Sequence, residues 1–210
     1  RLLVDRTQML AAISHDLRTP ITRLQLRSEF FSDSPQYEKM VADLAEMERM
    51  IASILSFARD YVRTEQMEKF DLAVLLETVC NDLVDTGLAV TYQSECDRLS
   101  YFGRMIALKR ALTNLIENAV KYGEQAMVTC VSRQTDVHIK IIDQGPGIPE
   151  AEMEKVFNPF YRIDASRSPE KSGTGLGMAV ARDIIRAHGG DISLSNGETK
   201  GLIVWVTLPF

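Results

Sequence analysis

The apolar residues of this chain keep one spacing up to about residue 61 and another after it, and that change limits the folds open to it. From Leu3 to Phe31, the residues Leu10, Ile13, Leu17, Ile21, Leu24 and Phe31 recur mostly at steps of three and four, the stripe of an amphipathic helix. Ser32-Asp33-Ser34-Pro35 interrupts the stripe with turn residues, and Pro35 suits the start of a new helix. Tyr37, Met40, Leu44, Met47, Ile51, Ile54, Ala58 and Tyr61 then form a near-heptad seam. The two helices make a hairpin. One hairpin alone buries a single seam, whereas two close a four-helix bundle with a complete core, so a homodimer is expected.

The seam lapses at the polar stretch Thr64-Glu65-Gln66-Met67-Glu68-Lys69, which predicts a domain boundary dividing the chain into 1–66 and 67–210. Beyond it, Asp71 can cap a helix running to about Val84, and Leu88 to Gln93 reads as a strand. Arg104 to Tyr122 is a long helix. Ala126 to Arg133 and Val137 to Asp143 alternate like two half-buried strands joined by a short turn. A further helix from about Leu176 to His188 stops at Gly189-Gly190, and the strands Asp191 to Ser195 and Leu202 to Leu208 follow. The expectation is an α+β chain: a helical hairpin, then an α/β sandwich with one mixed sheet and about three helices.

Bulk properties remove several classes of function. A net charge of −5 argues against a nucleic-acid partner and is the wrong sign for anionic lipid. No run approaches the ~18 apolar residues of a membrane span. The chain opens on Arg1, already within helical periodicity, and so reads as part of a longer protein. Cys80, Cys96 and Cys130 are odd in number and lack metal-type spacing, as expected of reduced thiols.

Four stretches carry chemistry. In Ser14-His15-Asp16-Leu17-Arg18-Thr19-Pro20, His15 lies about 200° around the helix from both Ile13 and Leu17, facing away from the seam beside Ala11, Thr19 and Thr22. Asp16 can hold one ring nitrogen as N–H and leave the other nucleophilic. Taken alone, this is equally a surface histidine before a proline bend. Asn114, Asn118 and Lys121 share one helical face; amide oxygens suit Mg²⁺, and an ammonium one turn on can reach a phosphate. The same face also reads as ordinary surface polarity.

Asp143-Gln144-Gly145-Pro146-Gly147 puts a carboxylate at a strand end, able to accept from an exocyclic amine, with glycines that admit a close ring; it is also a plain strand-to-helix turn. Gly173-Thr174-Gly175-Leu176-Gly177 opens a helix whose free N–H groups attract anions. It lacks the preceding strand of a Rossmann motif and the Gly-Lys-Ser/Thr of a Walker loop. Residues Asn158 to Ser172 between these stretches have no periodicity and look like a lid. Phe157 and Phe160 at its entrance suit either hinge or core, and His138 and His188 read as structural.

In this order the stretches resemble the cytoplasmic core of bacterial sensor histidine kinases. Ser14 to Pro20 is similar to that family's H box, Asn114-Leu115-Ile116-Glu117-Asn118-Ala119 to its N box, and Asp143 to Gly147 to its first glycine box. Phe157-Asn158-Pro159-Phe160-Tyr161-Arg162 is similar to the F box, and Gly173 to Gly177 to the second glycine box. The resemblance implies a dimerisation and phosphotransfer hairpin followed by a Bergerat-type ATP-binding domain. It implies that His15 accepts the γ-phosphoryl group of ATP, that Asp16 activates it, and that Thr19 helps water attack the phosphorylated partner.

By the same resemblance Asn118 holds Mg²⁺ with Asn114 beside it, Lys121 and Arg162 reach the phosphates, and Tyr122 lies against the nucleotide. Asp143 binds adenine, and Gly145, Gly147, Gly173, Thr174, Gly175, Leu176 and Gly177 form the cradle. The implied partner is an aspartate on the receiver domain of a response regulator, of the kind joined to a winged-helix transcription factor, which the kinase also dephosphorylates. The implied location is the cytoplasmic portion of an inner-membrane receptor, attached through a segment upstream. Arg104 departs from the pattern, because such proteins often carry an acidic residue at the start of the N-box helix; the departure weakens a helix cap. A related ATPase of the chaperone or topoisomerase kind, and a dimeric scaffold without activity, are the competing readings.

Overall fold

The computed structural model describes residues 19–60, 65–95, 98–163 and 173–210. The chain divides into two compact units, Arg1–Thr64 with Ser172–Leu176, and Glu65–Lys171 with Gly177–Phe210.

In the first unit, residues 19–28 are helical (α1) and run into a tight 3-10 turn at Glu29–Phe31. Ser28 Oγ donates to the Gln25 carbonyl at 2.7 Å, the Ser34 N–H to Phe31 at 2.8 Å and the Tyr37 N–H to Ser34 at 2.9 Å, so the reversal satisfies its own backbone. Helix α2 spans Tyr37–Asp60. Ile21, Leu44 and Ile51 form a small buried cluster, while Leu24, Leu26, Phe31, Met40 and Met47 remain exposed. The helical periodicity expected from Leu3 to residue 18, with the bend before Pro20, lies outside the described residues.

The second unit is built on a five-stranded sheet in the order β2-β4-β5-β7-β6. Its strands are β2 (Val90–Ser94), β4 (Ala126–Ser132), β5 (Asp136–Asp143), β6 (Asp191–Asn196) and β7 (Leu202–Pro209). β2 runs parallel to β4 and every other pair is antiparallel, giving the mixed sheet that was expected. Three helices accompany it: α3 (Leu72–Asp85), α4 (Met105–Gly123) and α5 (Gly177–Arg186). Asp71 Oδ1 accepts from Ala73 N–H at 3.0 Å, so the cap read from sequence is the one that forms.

β5 alternates strictly, with Val137, Ile139 and Ile141 turned into a core shared with Leu108, Leu112, Leu115, Ile116 and Ile185. Cys80 and Cys130 are buried in the same core, and burial pushes the Cys80 thiol up to about 11. One element was not anticipated. β1 (Glu68–Asp71) and β3 (Ser100–Gly103) pair antiparallel as a separate two-stranded sheet, Glu68 opposite Gly103 and Asp71 opposite Ser100. Four-residue strands are too short to show a period.

Candidate functional site

The site grows from the end of β5. Asp143 is its last residue, only 5% exposed, with one carboxylate oxygen fully engaged. Oδ1 accepts from Gly145 N–H at 2.8 Å and from Leu202 N–H at 2.9 Å. Among the described residues no donor reaches Oδ2. Oδ2 is not itself a buried, unpartnered atom, so it stays open to a donor supplied by a ligand. The carboxylate is fixed in place by its surroundings. A Cβ on Gly123, the last residue of α4, would run into the Asp143 side chain, and one on Gly201 would strike the Asp143 carbonyl. Gly145 lies close enough to Tyr122 that a Cβ would come within 2.7 Å of the Tyr122 carbonyl oxygen.

The loop after Asp143 is held from the far edge of the sheet. Asn196, at the end of β6, accepts from Ile148 N–H at 2.9 Å and donates to the Ile148 carbonyl at 2.8 Å. Gly147 beside it adopts φ of 74°, in the left-handed region, with no room for a side chain against Asn196. Gly201 N–H donates to the Gly145 carbonyl at 2.7 Å, tying the loop to the start of β7. Asn196 and Gly201 are functional supports that the sequence reading missed, because a lone asparagine and a loop glycine carry no distinguishing pattern.

α4 supplies the second wall. Its apolar face, Leu108, Ala111, Leu112, Leu115 and Ala119, is buried, which leaves Asn114 and Asn118 half-buried on another side. The start of α5 faces those amides: a Cβ on Gly177 would lie 3.4 Å from Asn118 Nδ2 and 3.7 Å from Asn114 Oδ1. Two amide side chains thus meet a helix N-terminus, where N–H groups lack intrahelical partners and the dipole favours anions. Lys121 stands one turn further on, its Nζ 5.2 Å from the centre of the Tyr122 ring, and Tyr122 is exposed.

Upstream of Gly177, Gly175 adopts φ of 69°, and Gly173 and Thr174 are half-buried. Leu176 is buried. Arg162 is half-buried and makes no ion pair or hydrogen bond among the described residues. The segment leading to it is well fastened. Arg182 of α5 lies 4.2 Å over the Phe157 ring and pairs with Glu154 at 2.7 Å and Asp191 at 3.3 Å. Tyr161 donates to Glu152, whose carboxyl is held below its ordinary range by that bond and by Lys155. Phe157 is therefore core, while Phe160, with φ of 66°, is exposed.

His188 is structural, as expected: Nε2 accepts from Arg104 N–H at 3.0 Å and Nδ1 donates to the Ile184 carbonyl at 2.7 Å. His138 pairs with Asp136 at 2.8 Å. Of the proposed phospho-acceptor group, His15 and Asp16 lie outside the described residues; Thr19 is exposed on α1. Among the described residues no group of three or more His, Cys, Asp or Glu could hold a metal; the amide oxygens of Asn114 and Asn118 on α4 are donors of the kind that suits a hard cation.

Two family profiles match the chain: the His Kinase A (phospho-acceptor) domain over residues 5–66, and the histidine kinase-, DNA gyrase B- and HSP90-like ATPase over residues 103–210. The chain is 39% identical over 209 residues to the sensor histidine kinase GtrS of Pseudomonas aeruginosa, covering 100% of this chain and 43% of GtrS. It therefore spans less than half the length of that relative. Full-length ShkA in complex with AMPPNP superposes with a TM-score of 0.70 at 21% identity, over 97% of this chain and 46% of that one. Histidine kinase ThkA in complex with the response regulator protein TrrA does so with a TM-score of 0.65 at 24% identity, over 96% and 61%. These two likenesses concern the fold. With a phospho-acceptor domain and an ATPase domain matched in sequence along one chain, and a sensor histidine kinase 39% identical over the whole of it, the chain belongs to the sensor histidine kinases.

Proposed function

We propose that the chain is the catalytic core of an ATP-dependent protein histidine kinase that phosphorylates itself on His15 and passes the phosphoryl group to an aspartate on a response regulator. The observation that carries the reading is the Asp143 carboxylate: buried, held by two backbone donors on Oδ1, and left with Oδ2 for the exocyclic amine of adenine. Gly145 and Gly147 let the purine approach the loop, and Tyr122 closes one side of it. Lys121, Arg162 and the N–H groups that open α5 neutralise the phosphates, and Thr174 and Gly175 shape the turn that precedes them.

Asn118, with Asn114 beside it, would hold Mg²⁺ by its amide oxygen; that ion would draw charge from the γ-phosphoryl oxygens. On the acceptor side, Asp16 keeps one imidazole nitrogen of His15 protonated so that the other presents its lone pair. The bond that forms is from that nitrogen to the γ-phosphorus, and the bond that breaks is to the bridging oxygen of ADP. Little covalent work falls on the protein, so positioning and charge neutralisation supply the rate. Thr19, four residues after His15, orients water to attack the aspartyl phosphate of the regulator, which breaks the bond to the carboxylate oxygen and releases inorganic phosphate. That ThkA was solved with a response regulator supports the class of partner.

A homodimer follows from the helical unit, whose exposed Leu24, Leu26, Phe31, Met40 and Met47 need a second hairpin to cover them. A monomer at high concentration by light scattering contradicts that. No described helix is long and apolar enough to cross a membrane, and attachment to an inner membrane rests on the relatives' extra length. The activity is tested with γ-³²P-labelled ATP: label on the protein that is labile in acid and stable in alkali is phosphohistidine. Phosphate release without such label marks a simple ATPase and overturns the proposal.

A further inference from the structure

We propose that Glu65 is a positioning residue for autophosphorylation, clamping the end of the inter-domain joint to the N-terminus of the helix that carries Asn114 and Asn118. The inference rests on the kinase reading above. It starts from a vacancy in local capping. Arg104 occupies the N-cap position of α4 with the extended backbone of a cap, φ −91° and ψ 100°, yet its side chain makes no cap bond and the first turn of α4 holds no acidic residue. The cap comes instead from 41 residues upstream. Glu65 Oε1 accepts from Ile106 N–H at 2.6 Å and Oε2 from Ala107 N–H at 2.9 Å. Both oxygens are used, and the charge sits at the positive end of a 19-residue helix.

A serine or aspartate at position 104 would cap α4 without ordering any distant chain. Arg104 does something different: its Nη2 donates to the Ala187 carbonyl at 3.3 Å, and its N–H to His188 Nε2 at 3.0 Å. The start of α4 is thus tied to the end of α5 by Arg104 and His188, and to the joint by Glu65. The other ends of these helices make the site, since Gly177 of α5 faces Asn118 of α4. Glu65 is also the first residue of its compact unit, directly after Thr64. The clamp therefore fixes where the joint ends. Without it the chain is next secured at Glu68, where β1 begins, and the joint gains three residues, about 10 Å of reach. A longer joint lowers the effective concentration of one domain at the other. It leaves Asp143 and its loop untouched.

The test measures kcat and the KM for ATP of autophosphorylation in the whole chain, alongside thermal melting. The set is wild type, Glu65→Ala, Glu65→Gln, Arg104→Asp and the double change Glu65→Ala with Arg104→Asp. Glu65→Ala is expected to lower kcat by about two- to fivefold with KM within twofold, and Glu65→Gln, which keeps one acceptor, to fall between it and wild type. Arg104→Asp restores a local cap but gives up the Nη2 bond to Ala187, so the double variant is read against Arg104→Asp alone: its melting temperature matches that single variant while its kcat stays below it, because the joint stays loose. Unchanged kcat in Glu65→Ala, a kcat in the double variant equal to that of Arg104→Asp, or a raised KM at constant kcat would each reduce Glu65 to an ordinary helix cap. A wild type that takes no label overturns the kinase reading and this inference with it; a labelled wild type with unaffected variants overturns the inference alone.

Discussion

Asp143→Asn separates the observed duty of one buried carboxylate, holding its loop, from the one proposed for it, binding adenine. Oδ1 already accepts from Gly145 and Leu202 N–H groups, and an asparagine carbonyl can keep both bonds, so the loop and the start of β7 retain their anchor. The amide nitrogen then stands where Oδ2 was, a donor facing the donor of the adenine amine. A hydrogen bond to a charged group contributes about 1.5–3 kcal/mol, which is about 10- to 150-fold in affinity. The lost charge on two backbone bonds that persist costs the fold about 1 kcal/mol, a fall of some 2–4 °C in a unit of this size. Titration calorimetry with ATP and a thermal melt of the same sample read the two quantities apart. The amide also offers a donor to the guanine carbonyl, so preference shifts from ATP towards GTP. Weaker binding of less than threefold with ATP still preferred would show that Asp143 does not face the base. Collapse of the melting transition would show that its first duty is the fold.

Asn196→Ala removes both bonds to Ile148 and frees the loop that carries Gly147; these groups are exposed, so stability falls by about 1 kcal/mol while ATP binding weakens more. Equal ATP affinity in wild type and variant would show that the loop needs no clamp. His188 supplies a pH dependence. Burial pushes its pKa below the ordinary histidine value, so the folded state resists a proton that the unfolded chain takes up. Stability is full above about pH 6.5 and is lost as pH falls from there towards the folded pKa, below which the loss stops growing. Urea midpoints between pH 8 and pH 5 should fall more steeply in wild type than in His188→Gln, and parallel curves would contradict the assignment.

Much of this architecture was legible because its signals are local. Asp71 announced the start of α3, strict alternation marked β4 and β5, and Gly189-Gly190 ended the helical stretch that contains α5. The spacing of Asn114 and Asn118 put both amides on one face of α4. What was hidden depends on residues that meet only after folding. β1 and β3 are four residues each and find one another across the whole of α3, so neither carries a period to read. The contact of Gly177 with Asn118, the closeness of Gly123 and Gly201 to Asp143, and the Asn196 bonds to Ile148 likewise join distant segments. Arg104 showed that a cap was missing; only the structure supplies the substitute, Glu65. Arg182 gave no signal as a charged residue in an amphipathic helix, yet it fastens Phe157, Glu154 and Asp191 together.

The central claim is that ATP held at Asp143 phosphorylates His15. Autophosphorylation of wild type and His15→Gln with Mg-ATP, run beside a nucleotide-binding titration of both, tests it most directly. The account predicts label on wild type alone with equal ATP binding in the two proteins. Label that persists on His15→Gln, or ATP binding absent from both, would contradict it.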